Sequence, residues 1–314
     1  MLRGFRPDDA PTYLRFLKEL FPAEEALLGT DPVEMERLIR RLFRWDLRLL
    51  LALARAVRHP IVRFYVIEVD GHVAATTLLT FTSAAGYLSG VAVDRPYRRR
   101  GYARRLLARA HADARRAGRR FAALDVLRAN APARALYASE GYRPLRGYTA
   151  RRAALADARA PAGEVQGLRP FRREDAVPLV RLAAGAVPAA VAEVLPLEPS
   201  QFRLPPALIR ALGSETRAWV LDDGRGPRAF LRATVSDAMA SGNLTAPLLD
   251  PAVEPERARG LLRHALAWIR SRGPGTVATE VPDDHPGVAA LLEDEGFETA
   301  YAVDTLYRRL DVAG

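Results

Sequence analysis

The alternation of apolar and polar positions predicts three strands in the first third of the chain, over Phe64–Val69, His72–Phe81 and Tyr87–Val93. Asp70-Gly71, between the first two, is a pair suited to a tight hairpin. Asp94-Arg95-Pro96 breaks the third strand. From Gly101 the apolar positions change to helical spacing, at Ala103, Leu106, Leu107, Ala110 and Ala114, with arginines on the remaining surface and Gly118 as a C-terminal stop. A strand at Phe121–Val126, a helix at Ala131–Glu140 and closing strands near Tyr142–Ala154 follow. Upstream lie an opening strand near Leu2, a helix from about Asp8 to Phe21 and a helical region from about Pro32 to Arg58.

The pattern then repeats. Leu2-Arg3-Gly4-Phe5-Arg6-Pro7-Asp8-Asp9-Ala10 recurs as Leu168-Arg169-Pro170-Phe171-Arg172-Arg173-Glu174-Asp175-Ala176, with six of nine positions identical. Tyr137-Ala138-Ser139-Glu140-Gly141-Tyr142 is echoed by Leu292-Glu293-Asp294-Glu295-Gly296-Phe297. The second copy reads as strands near Arg217–Leu221, Arg228–Val235 and Asn243–Leu249, a helix over about Glu254–Arg272, a strand at Val277–Val281 and a helix ending near Glu295. Two copies of one fold are expected: residues 1–154, a linker over 155–164 with Pro161 and Gly163, and residues 165–314. Mixed strands and helices in this order predict an α/β architecture, each copy a mostly antiparallel sheet flanked by helices. At about 150 residues, each copy is long enough to bury a core of its own.

The segment Val91-Ala92-Val93-Asp94-Arg95-Pro96-Tyr97-Arg98-Arg99-Arg100-Gly101-Tyr102-Ala103 carries the most chemistry. A strand, a basic turn with a glycine and a helix N-terminus together grip phosphate, because free backbone N–H groups and the helix dipole both favour an anion there. It is neither a P-loop nor a Rossmann glycine pattern. Arg98-Arg99-Arg100-Gly101-Tyr102-Ala103 resembles the acyl-CoA signature [R/Q]-x-x-G-x-[G/A] of the GNAT N-acetyltransferases. Asn130, then Ala135-Leu136-Tyr137, then Glu140-Gly141-Tyr142 is similar to that family's N-x-x-A-x-x-L-Y helix and G-[F/Y] exit.

The resemblance implies acetyl-CoA as acyl donor and a primary amine as acceptor, joined in a ternary complex. It implies that Arg98, Arg99, Arg100, Gly101, Tyr102, Ala103 and Arg104 face the pyrophosphate, and that Val91, Ala92 and Val93 offer backbone amides to the thioester carbonyl. Asn130 would face the pantetheine, as well as capping the helix that follows. Tyr137 would protonate the departing thiolate. Many relatives carry a glutamate base where Ser89 stands, which leaves Glu68, His72, Asp125 or a water chain for that role. A non-catalytic acyl-CoA-binding module and a mycothiol-synthase-like acetyltransferase are the alternatives.

Composition narrows this further. The 314 residues contain no cysteine, which excludes disulfides, thiolate metal sites and a cysteine nucleophile, and suits a reducing cytoplasm. No signal peptide is apparent, and the most apolar run, Leu49–Ala54, is far too short for a membrane span. The five histidines show no metal-ligand spacing, so no metal is expected, and His111, inside the basic helix, is expected at the surface. Lys18 is the only lysine among 47 Lys+Arg. Residues 1–155 hold 29 basic against 15 acidic side chains, and residues 156–314 hold 18 against 22, so the polyanionic ligand belongs to the first half. Nucleic acid is an unlikely partner, because the aromatics are not interleaved with the arginines as a stacking platform requires.

In the second copy, aligning Leu261-Leu262 with Leu106-Leu107 sets Glu256 where Gly101 stands. A glutamate facing a diphosphate repels it. The second copy is therefore expected to be degenerate, and the first to bind acetyl-CoA unaided.

Overall fold

The computed structural model describes residues 1–31, 33–37, 62–159, 163–204 and 213–310. Most of the helical region expected over Pro32–Arg58, and part of the linker, lie outside the described residues.

In the first half, β1 (Leu2–Gly4) leads to helices α1 (Ala10–Leu20) and α2 (Pro22–Leu28). Then come β2 (Val62–Val69), β3 (His72–Phe81), β4 (Ala85–Val93), α3 (Tyr102–Arg116), β5 (Phe121–Leu127), α4 (Ala131–Ser139) and β6 (Arg143–Ala154). The second half repeats the order: β7 (Leu168–Pro170), α5 (Ala176–Ala184), α6 (Ala189–Val194), β8 (Ser214–Asp222), β9 (Pro227–Ser236), β10 (Ser241–Leu244) and β11 (Leu248–Leu249). It closes with α7 (Pro255–Arg270), β12 (Thr276–Pro282), α8 (Pro286–Asp294) and β13 (Glu298–Arg309).

Local chemistry explains most boundaries. Asp70 and Gly71 both take positive φ, 49° and 77°, which is the hairpin geometry their sequence announces. The repeated nonapeptide folds identically twice: Arg3 forks onto Asp9 at 2.7 and 2.8 Å, and Arg169 onto Asp175 at 2.8 and 2.8 Å. The span expected as one strand over Asn243–Leu249 divides into β10 and β11. Pro247 lies between them and has no N–H to give the ladder.

All strands join one sheet, in the order β1-β2-β3-β4-β5-β13-β6-β12-β10-β9-β8-β7, with β11 beside β9. β4–β5 and β10–β12 pair parallel and the other pairs run antiparallel. The halves exchange their last strands: β13 lies against β5, and β6 lies against β12. Only β6 closes the first half, and the neighbour it would need beside β5 comes from the second.

The cores follow this exchange. Leu106, Leu107, Ala110 and Ala114 of α3 pack over Ala122 and Leu124 together with Leu306 and Leu310 from the other half. Leu155, inside the expected linker, is buried among Leu261, Leu262 and Val277. On the opposite face, α2 packs Leu27 on Ala150 and Ala278, while Val194 of α6 packs near Phe121 and Ala123. Each half thus lends a helix to the other. Among the described residues, no helix is long and apolar enough to cross a membrane.

Candidate active site

The site begins where β4 leaves β5. Their parallel pairing runs from Ala85–Phe121 to Leu88–Leu124 and stops. Beyond it, β5 continues against β13, while β4 carries an extra residue relative to β3: Thr76 faces Ala92 but Leu78 faces Ser89. Gly90, at φ 58°, sits in this bulge. The bulge bends Val91–Val93 away from β5 and opens a gap between the two strands.

The turn after β4 is pinned. Asp94 accepts from the Arg95 amide at 2.8 Å and from Arg15 of α1 at 2.7 Å, and the Arg15 guanidinium holds its carboxyl below the usual range. Arg98 Nε donates to the Val93 carbonyl at 3.2 Å. Arg99 at φ 63° and Gly101 at φ 78° alternate with their neighbours in hand, an arrangement that turns successive N–H groups inward. A Cβ on Gly101 would meet no atom within 4 Å, so its role is conformational freedom and room for a ligand. Gly101 is the N-cap of α3 without a side-chain cap, and the amides of Gly101, Tyr102, Ala103 and Arg104 make no hydrogen bond among the described residues.

A cleft of about 680 Å³ lies here. Val91, Ala92, Val93, Arg98, Arg99, Gly101, Tyr102, Ala103 and Arg104 border it from one wall, and Asn130 and Tyr137 from the other. Leu20 and Phe21, at the end of α1, also border it, which no sequence motif announced. Arg100 stands apart, with its guanidinium 5.8 Å from the Tyr97 ring centroid. Arg104 is bonded to Glu140 at 2.9 Å and Ser139 at 3.1 Å, linking α3 to α4 across the cleft.

Asn130 caps α4, accepting from the Ala133 amide at 3.2 Å. Tyr137 is buried, and burial pushes its phenol well above the usual value, so it keeps its proton at neutral pH. Its ring lies 5.8 Å from that of Tyr142. Tyr142 in turn meets His111 Nε2 at 2.7 Å. His111 is thus inside the protein and not at the surface as expected. The helix turns it inward beside Ala110 and Ala114, and burial, reinforced by Arg308 and Arg115, pushes its pKa down to about 4.

The candidate bases separate in space. Glu68, on β2, is held by Arg3 at 2.6 Å, and none of Glu68, His72 and Asp125 borders the cleft. Asp125 follows Leu124, the last β5 residue paired with β4, and accepts the Thr305 hydroxyl at 2.6 Å.

In the second half β10 and β12 part at the equivalent place, after Leu244–Thr279, but the residues beside that break differ. Matching the parallel pairs Ala85–Phe121 and Ser241–Thr276 places Pro247, which has no N–H, where Val91 stands. α7 starts with Glu254 as N-cap and Glu256 in its first turn, with no glycine in the left-handed region.

Residues 19–142 match the acetyltransferase (GNAT) family. That match lies within the first half, and the whole chain takes the fold of a tandem GNAT protein. A tandem GNAT protein from the clavulanic acid biosynthesis pathway superposes with a TM-score of 0.67 at 17% identity, over 100% of this chain and 99% of its own. A GCN5-related N-acetyltransferase from Sphaerobacter thermophilus gives 0.67 at 16% identity, over 99% and 95%. A putative acetyltransferase from Pyrococcus horikoshii gives 0.59 at 15% identity, over 99% and 90%. No curated protein sequence matches the chain. The GNAT match falls on the half that carries the bulge, the basic turn and the uncapped helix.

Proposed function

We propose that this GNAT protein is an acetyl-CoA-dependent N-acetyltransferase acting on a primary amine. Residues 1–154 form the acyl-CoA-binding domain, 155–164 the linker, and 165–314 a degenerate copy that shapes the site. The observation that carries the reading is the uncapped N-terminus of α3, beside the β4–β5 gap, in the basic half. Left-handed Gly101, with open space at its Cβ position, leaves the room a diphosphate needs.

In this reading the amides of Gly101–Arg104 and the guanidinium groups of Arg98 and Arg99 hold the diphosphate, and Asn130 faces the pantetheine. The amine nitrogen attacks the thioester carbonyl carbon, forming the C–N bond as the C–S bond breaks. The Val91–Val93 backbone stabilises the developing oxyanion. The amine's surplus proton passes to a base, for which Asp125 is the best-placed of the three candidate residues. Tyr137 gives its proton to the thiolate. A cytoplasmic setting, where acetyl-CoA is available, goes with this reading.

Release of free CoA thiol from acetyl-CoA, measured across a panel of amines, tests the proposal. Acetyl-CoA binding without thiol release from any amine would make the chain a binding module instead.

A further inference from the structure

The sheet face opposite α3 and α4 carries a second feature, built from both halves. Asp125 on β5 lies opposite Thr305 on β13, and Thr305 opposite Arg146 on β6. Four residues along, Tyr301 on β13 lies opposite Ala150 on β6, and Ala150 opposite Glu280 on β12. Strand alternation then puts Asp125, Thr305, Tyr301, Tyr148 and Glu280 on one face. Counted along their strands from Phe121 and Thr276, Asp125 and Glu280 hold the same position in the two copies. Strand exchange brings them together. α2 and α6 flank this floor, and Glu24 of α2 reaches it. Asp125 and Glu280 keep solvent-accessible surface, although Glu280 is closely surrounded by neighbouring atoms.

Three carboxylates share this face, in a chain with 47 basic side chains against 37 acidic ones. Ion pairs hold Asp9, Asp94, Asp113, Asp175 and Glu295, but none among the described residues reaches Asp125, Glu280 or Glu24. The arginines of this face are engaged elsewhere: Arg146 with Asp284 at 2.6 Å, Arg152 with the Ala26 carbonyl at 3.2 Å. Burial, then the charges of Asp125 and Glu24, push the Glu280 carboxyl up, and burial pushes Glu24 up. Oε2 of Glu24 is sealed from solvent and has no hydrogen-bond partner among the described residues. Uncompensated negative charge of this kind is costly unless a positive group arrives to neutralise it.

We infer that this floor binds the acceptor as a linear polyamine, with its reacting amine beside Asp125 and a distal ammonium between Glu280 and Glu24. The inference rests on the acetyltransferase reading. Asp125 stands one residue past the end of the β4–β5 pairing, where the gap opens toward the Val91–Val93 amides. The Asp125 and Glu280 backbones are three strand spacings apart, roughly 14 Å at about 4.8 Å each, and offset by four residues along the strands, about 13 Å at about 3.3 Å each, less the inward reach of both side chains. That span suits an extended chain with separated charges and not a compact monoamine. Tyr87, opposite Ala123, and Tyr301 stand on this face as aromatic partners for the methylenes and ammonium groups between the two ends, while Arg146 lies 5.6 Å from the Tyr148 ring centroid.

Calorimetry on the full chain with spermidine and n-butylamine tests the site. Spermidine should bind at least tenfold more tightly than n-butylamine, and Glu280→Gln should weaken spermidine at least tenfold while the melting temperature holds. Asp125→Asn provides a second variant should Glu280→Gln unfold the chain. Equal binding of the two amines, or unchanged spermidine affinity in both folded variants, would overturn the inference. Acetyl-CoA titrated into the same samples separates the two ideas. Acetyl-CoA binding without amine discrimination sinks the polyamine site alone. Spermidine binding that depends on Glu280, with no acetyl-CoA binding, supports the site and sinks the transferase reading.

Discussion

Thr305 donates its hydroxyl to Asp125 at 2.6 Å, across 180 residues of sequence. The bond is a direct product of strand exchange, because β13 occupies the place beside β5. A residue of the second half thereby orients a side chain at the mouth of the first half's gap. The second half is therefore no inert appendage.

Its structural weight is measurable. Leu306 of β13 is 5% exposed and packs in the core under α3. Leu306→Ala should cost about 3 kcal/mol, as large-to-small core changes do, and should weaken acetyl-CoA binding from the other half. A thermal melt with calorimetry checks both, and a variant with unaltered affinity would show that the cleft tolerates a loosened partner strand.

The fragment ending at Ala154 changes its expected behaviour for the same reason. It lacks the β13 strand that pairs with β5 and the Leu306 and Leu310 side chains of its core. It should aggregate or dimerise through the bare β5 edge, visible by size-exclusion chromatography. A monomeric fragment that binds acetyl-CoA at full affinity would contradict this.

Gly101→Glu should weaken acetyl-CoA binding at least a hundredfold, because it sets a negative charge at the amides of α3. Gly101→Ala separates strain from charge. At φ 78° an alanine should cost about 1 kcal/mol of stability while leaving the space around it clear. Calorimetry on both variants checks the assignment, which fails if the glutamate leaves affinity unchanged.

Tyr137→Phe should lower kcat by ten- to a hundredfold with the acetyl-CoA Kd within about threefold, the range expected for loss of a general acid. Because burial raises the Tyr137 phenol above its usual value, the acid form persists well into the alkaline range. In the wild type, kcat should show no loss of this acid near pH 10. Steady-state kinetics that find equal turnover in the variant would remove the role.

His111 gives a pH signature in stability. Its pKa falls from an ordinary 6.5 to about 4 on folding, so the folded state favours the neutral ring. That stability is present above pH 6.5 and is lost as pH drops toward 4, by about 3 kcal/mol. Denaturant melts at pH 7 and pH 4 should show a smaller loss in His111→Gln than in the wild type.

Much of the fold could be read in advance because its signals are local. Asp70-Gly71 encodes a hairpin, the repeated Arg-Phe-Arg-Asp nonapeptide encodes a matched pair of openings, and the period change at Gly101 marks the start of α3. The cleft residues from Val91 to Arg104 follow from that same segment. Strand exchange could not be read, since the alternation within β6 or β13 marks a strand and its faces but not which strand lies beside it. The placement of Asp125 and Glu280 on one face was hidden for the same reason. His111 looked like surface within an arginine-rich helix, but it shares the inward face with Ala110 and Ala114, and Tyr142 supplies its partner.

The exchange also sets a timetable for biogenesis. As the polypeptide leaves the ribosome, β5 waits through some 170 residues of further synthesis before residues 298–309 arrive to cover its open side. The first half must remain ajar, its edge a target for chaperones or for stray pairing, until translation of the second half is nearly done.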